Sequence, residues 1–178
     1  MKTRGIGPLI ALTWVIVATA AAAENAADSE SKAALATALK GTHLSLASGF
    51  AAAQREGTPI SGKYELEEGK LQLSVYTLKD GRFSEVIVDY ATGAVARVVP
   101  IEDGQDARSA REQRGAMAKA RRPLQEVAND ALAANPGFTV VSVVPSLAEG
   151  RPFAEVTLVR GDEWKTLRDR LDVDDDDD

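Results

Sequence analysis

"VIVDYATGAVARV", Val86–Val98, decides how the chain is read. Two readings compete. In one, Asp89 is a catalytic carboxylate presented on a loop; in the other, a strand runs into a turn. Loops of the aspartic-protease type need Asp followed directly by Thr-Gly, so that backbone and hydroxyl hold the carboxylate. Here Tyr90 and Ala91 intervene. An Asp at a strand end caps the following turn through its own backbone, and Gly93 supplies a positive φ where the chain reverses. The stretch is therefore read as strand and turn.

Upstream, the order of elements follows from periodicity. "LSLASGFAAAQREG" carries Leu46, Gly49, Phe50 and Ala53 on one helical face, with Ser45 as N-cap. "PISGKYELEEGK" is a strand ending in a turn at Glu68-Gly69, and "LQLSVYTL" alternates as a half-buried strand does. Asp80-Gly81 is a hairpin signal, and "RFSEVIVDY" gives the third strand.

Downstream, the same order returns. "PLQEVANDALAANPG" puts Leu124, Val127, Ala128, Ala131 and Leu132 on one stripe, with Pro123 suited to a first turn. "FTVVSVVPSL", "FAEVTLVR" and "WKTLRDRLD" then read as three strands. Leu46 matches Leu124, Gly69 matches Gly150, Gly81 matches Gly161 and Asp89 matches Asp172, at offsets near eighty. The expected fold class is α+β: two tandem αβββ units, each a short helix on a three-stranded antiparallel sheet.

The rest of the chain is organised around these units. Lys2 and Arg4, an uncharged run and Ala21-Ala22-Ala23 make residues 1–23 a secretory signal peptide cut after Ala23. Residues 24–43 form a polar, Ala-rich segment, 44–101 the first repeat and 123–173 the second. Between the repeats, 102–122 is an Arg-rich connector with some helical content, expected to be solvated. Residues 174–178 are an acidic tail, expected to be disordered. Cleavage removes two positive charges and takes the formal net charge from -6 to -8. An acidic exported chain is poorly suited to nucleic acid or anionic lipid. No second run is expected to enter a bilayer. The absence of cysteine excludes disulfides and thiolate chemistry.

Quoted through "LSLASGFAAAQREGTPISGKYELEEGKLQLSVYTLKDGRFSEVIVDYATGAV", the first repeat resembles a PepSY domain along its length. The matching features are the Ser-Leu opening, the acidic-Gly turn, the middle strand, and a last strand ending in Val-Asp before Thr-Gly. The second repeat resembles the family more weakly, because Asp172 leads into the aspartate tail. The resemblance implies an exported, non-catalytic α+β module, found in some relatives within the propeptide of thermolysin-type metallopeptidases. It brings no catalytic residues to carry over.

No constellation of residues argues for chemistry. His43 is the only histidine, whereas a zinc site draws on several His or Cys ligands. Asp172 and Asp174–Asp178 form an uninterrupted run without the spaced ligands and bend of a calcium loop. That tail could instead pair with Arg108, Arg111, Arg114, Arg121 and Arg122 of the connector. The same arginines lack the interleaved aromatics of a nucleic-acid surface. Trp164 and Phe83 hold corresponding places at the start of a third strand, where core packing is the expected role. No catalytic, metal or cofactor residue is assigned.

Two functional readings follow. The first is a periplasmic or secreted binding module that takes a polypeptide at an open sheet edge and modulates or inhibits a peptidase. The alternative is a small envelope protein with a structural or stress-buffering role, acting through its acidic surface and weak cation binding.

Overall fold

Alternating residues and tight turns build the strands. In the computed structural model, which describes residues 17–173, the elements are α1 (Val17–Leu39), α2 (Leu46–Ala53), β1 (Thr58–Glu67), β2 (Lys70–Lys79), β3 (Arg82–Val88), β4 (Val95–Ile101), α3 (Gly104–Met117), α4 (Leu124–Ala134), β5 (Thr139–Ala148), β6 (Arg151–Arg160) and β7 (Glu163–Arg170). The chain divides into two units at Ala33 and Ala34, and all seven strands belong to the second. Of the expected leader, residues 1–16 lie outside the described residues, as does the 174–178 tail.

The α+β class holds. The expected pair of separate three-stranded sheets does not: one seven-stranded antiparallel sheet runs in the order β4-β3-β2-β1-β5-β6-β7. β4 is an additional strand, and β1 joins β5 at the centre through Gly62↔Val143 and Lys63↔Ser142. A ladder that short cannot fuse the halves alone. They share a core in which Phe50, Leu73 and Val75 of the first half join Val127, Val143 and Leu158 of the second. Each half buries there what it cannot cover by itself.

Strand starts in the second half lie 81 residues after those in the first, with Thr58 answering to Thr139, Lys70 to Arg151 and Arg82 to Glu163. The irregularities repeat as well. β1 is bulged between Pro59 and Ser61, and β5 between Val140 and Ser142. Glu68 and Glu149 both take positive φ, at 50° and 53°. Ladder pairing refines one correspondence. Val88 pairs with Leu73 and Asp169 with Ala154, so the residue answering to Asp89 is Arg170, not Asp172. Matching acid to acid overshoots by two positions, because ladders count every residue whatever its charge. Phe83 and Trp164 do correspond, pairing with Leu78 and Val159.

Helices cover both faces. A Cβ on Gly62 would lie 2.7 Å from Phe50 Cε1, which places α2 on the face to which Gly62 points. Ser45 caps this helix as its hydroxyl accepts the Ser48 N–H at 3.1 Å. α4 packs beside α2, preceded by Pro123 at its N-cap instead of inside the first turn. Ser61 points the opposite way and donates to Gln113 Oε1 of α3 at 2.7 Å, so α3 lies on the other face.

The 102–122 connector is therefore packed, against the expectation of a solvated one. Ala107, Ala110 and Ala116 are buried, and Ala110 clusters with Ile60 and Phe83. Small alanines at helical spacing make a narrow contact stripe that a polar composition hides. Residues 24–43 include most of α1, whose Ala36 and Leu39 are buried in the core.

Candidate binding surface

The turn after β3 is built by Asp89. Its carboxylate accepts the N–H groups of Ala91 at 2.9 Å and Thr92 at 2.8 Å. Asp89 N–H donates to Ala94 O at 2.9 Å, Gly93 N–H donates to Asp89 O at 2.7 Å, and Gly93 takes φ 74°. The two backbone donors from Thr92 and Ala91 hold this carboxyl below the ordinary aspartate range. Asp89 thus shapes backbone, as its position at a strand end implies, and its turn returns the chain as β4.

β4 forms one edge of the sheet. Its residues Val95–Ile101 carry a single charge, Arg97, and Val98 is 40% exposed. The opposite edge, β7, carries Glu163, Lys165, Arg168, Asp169 and Arg170 in eight residues. Charge blunts an edge against strand addition, and apolar side chains leave it open. Pro100 removes one backbone donor but leaves the N-terminal part of β4 intact.

A shallow groove lies at the start of β4, lined by Glu68, Lys70, Gln72, Ile87, Asp89 and Arg97. A second groove is lined by Ala148, Glu149, Arg151, Phe153 and Arg168. Each residue of the second stands 81 positions after one lining the first: Glu67, Glu68, Lys70, Gln72 and Ile87. The grooves are counterparts with different chemistry. Gln72 is replaced by Phe153 and Ile87 by Arg168, whose guanidinium lies 4.2 Å from the Phe153 ring centroid.

Arg122 is a polar centre that sequence reasoning missed. It is 5% exposed, its Nη2 donates to Asp130 at 2.5 Å and its Nη1 to Asp169 at 3.3 Å, and Glu126 lies 3.8 Å from its Nε. The backbone N–H groups of Arg121 and Arg122 donate to Leu171 O at 2.6 and 3.2 Å. The end of the connector is thereby tied to α4 and to the end of β7. A signal was present: Asp130 follows Arg122 by eight residues and Glu126 by four, a helical spacing.

The remaining candidates do not gather. His43 is exposed between α1 and α2. Asp172 accepts from Arg170 Nε at 3.0 Å, and that bond holds its carboxyl low. Phe83 is buried, and Trp164 packs half-buried on the main core. Arg114 lies 5.8 Å from the Phe83 ring centroid. Among the described residues, no three His, Cys, Asp or Glu side chains come together as a metal set. No helix among them is long and apolar enough to cross a membrane.

No family model and no curated protein matches the chain. The chain is similar in structure to a candidate lipoprotein from Clostridium difficile 630, at 12% identity and a TM-score of 0.39, over 66% of this chain and 78% of that one.

Proposed function

We propose that this protein is an exported, non-catalytic binding module of PepSY type, built from two tandem copies of an αβββ unit, that captures an extended polypeptide as an added strand on β4. The 81-residue correspondence of strands and bulges supports the tandem reading. The observation that carries the binding reading is the contrast between edges: β4 exposes Val98 and holds one charge, whereas β7 is densely charged. Backbone hydrogen bonds along β4 would supply affinity, and the groove beside Arg97 would read alternate side chains of the guest. A peptidase substrate-like or inhibitory segment is a fitting guest, since such segments are extended.

The test is a peptide-display selection against the whole chain, followed by hydrogen exchange on the selected complex. Slowed exchange at the amides of residues 95–101, lost in Val98→Asp, is the expected result. Selection of no peptide, or protection confined to other elements, would overturn the proposal.

A further inference from the structure

Val98, the exposed residue of β4, sits at a defined phase of its ladder. Asp89 N–H donates to Ala94 O at 2.9 Å, so these two form a hydrogen-bonded pair and Val88↔Val95 is the next, non-bonded one. Between Val95 and Arg97 the strand carries one extra residue, Ala96, at the bulge. Alternation then makes Ile87↔Arg97 bonded and Val86↔Val98 non-bonded, which turns the N–H and C=O of Val98 outward from the sheet edge. Pro100 agrees: paired with Ser84 in the same phase, its missing N–H falls on the open side.

The same edge is self-complementary in charge. Cross-strand partners share a face, so Glu85, Ile87, Arg97 and Val99 stand together, opposite the buried Val86. α3 packs chiefly on β1, β5 and β6, away from β4. Neither Glu85 nor Arg97 has an ion-pair partner among the described residues. Two antiparallel copies of β4 related by a twofold axis at Val98 exchange N–H···O bonds between Val98 and its copy. That register sets Arg97 opposite Val99 of the other copy, and Glu85 of that copy is then two strand spacings away, about 10 Å. An arginine and a glutamate leaning over the valine between them close that distance, and the twofold makes the contact twice. A register centred on Val99 instead asks Pro100 for the N–H it lacks.

We propose that β4 pairs with β4 of a second copy of this chain, antiparallel about Val98, with Arg97 of each copy meeting Glu85 of the other. The inference rests on the reading of β4 as open to strand addition, and it names the occupant when no other guest is bound. One strand per copy is a small contact, so the pairing is weak and reversible. It covers the apolar edge against indiscriminate association and yields to a guest that binds more tightly.

Sedimentation velocity of the whole chain, from micromolar to millimolar protein, should show a monomer–dimer equilibrium, with hydrogen exchange at the Val98 amide slowing as dimer forms. Val98→Asp, at an exposed position, should leave the chain monomeric. Arg97→Glu and Glu85→Arg each set like charges together and should raise the dimer Kd by about tenfold or more. The double variant Arg97→Glu, Glu85→Arg restores the pairing with its signs exchanged and should return to within about threefold of the natural chain. A chain monomeric throughout, a dimer that survives Val98→Asp, protection confined to other elements, or a double variant no tighter than the singles would each overturn the pairing. The two readings of β4 fail separately. A monomeric chain that still takes a selected peptide on residues 95–101 overturns the dimer alone, and a dimer through β4 from a chain that selects no peptide overturns the foreign guest alone.

Discussion

Gly62 faces Val143 across the β1–β5 ladder, and Val143 is the residue 81 positions after it. A strand position paired with its own counterpart places an approximate local twofold axis at the centre of the sheet. Phe50 lies against the same spot, fully buried. A methyl at Gly62 would sit 2.7 and 3.0 Å from two ring carbons of Phe50. Gly62→Ala should therefore destabilise the fold by about 1–3 kcal/mol through overpacking, measured as a lower urea midpoint. Adding Phe50→Leu should recover at least about 0.5 kcal/mol of that loss, as coupled sites in contact do.

Arg122 gives an asymmetric prediction. The guanidinium is buried, but Asp130 and Asp169 keep 45% and 42% of their side-chain exposure. Arg122→Ala leaves carboxylates that water can reach, and should cost about 1–3 kcal/mol. Asp130→Ala with Asp169→Ala removes two of the carboxylates that compensate a buried cation, and should cost more, about 3–5 kcal/mol. Denaturant melts of the two variants in parallel check the order.

The Asp89 turn predicts a pH effect of defined sign. Its carboxyl is held low in the folded chain by backbone donors, so the charged form is the one that stabilises. That stability is complete above the unfolded value of about 3.9 and is lost as pH falls through the lower folded value. The stability gap between the natural chain and Asp89→Ala should be constant near neutrality and close below about pH 4. Asp89→Asn, whose amide oxygen also accepts, should keep most of the turn.

Tyr64 ties the loop before α2 to the central strand. Its hydroxyl donates to Leu44 O at 2.6 Å, and burial pushes its pKa above the ordinary tyrosine value. Tyr64→Phe should cost about 1 kcal/mol in a thermal or denaturant melt, with the sheet unchanged. A loss several times larger would mean that the loop, and not this bond alone, had come away.

Much of the strand pattern was legible in the chain. β1–β3 and β5–β7 announce themselves by alternation and by acidic-Gly and Asp-Gly turns, and α2 and α4 by apolar stripes. β4 did not, because "VARVVPI" neither alternates cleanly nor lacks proline. α3 hid its contact face in alanines, and the burial of Arg122 depends on Leu171, Asp169 and Asp130 meeting at one place.

Sequence by itself determined most of the local elements and the turn chemistry of Asp89, since these depend on residues a few positions apart, and showed a repetition at an offset near eighty. Only the tertiary structure decided that the hairpin sets join into one sheet, that the connector covers its second face, and that Arg170, not Asp172, answers to Asp89. The reason is burial. β1 meets β5 across 81 residues because each half alone leaves apolar surface in water, and no local pattern states where that surface will be covered.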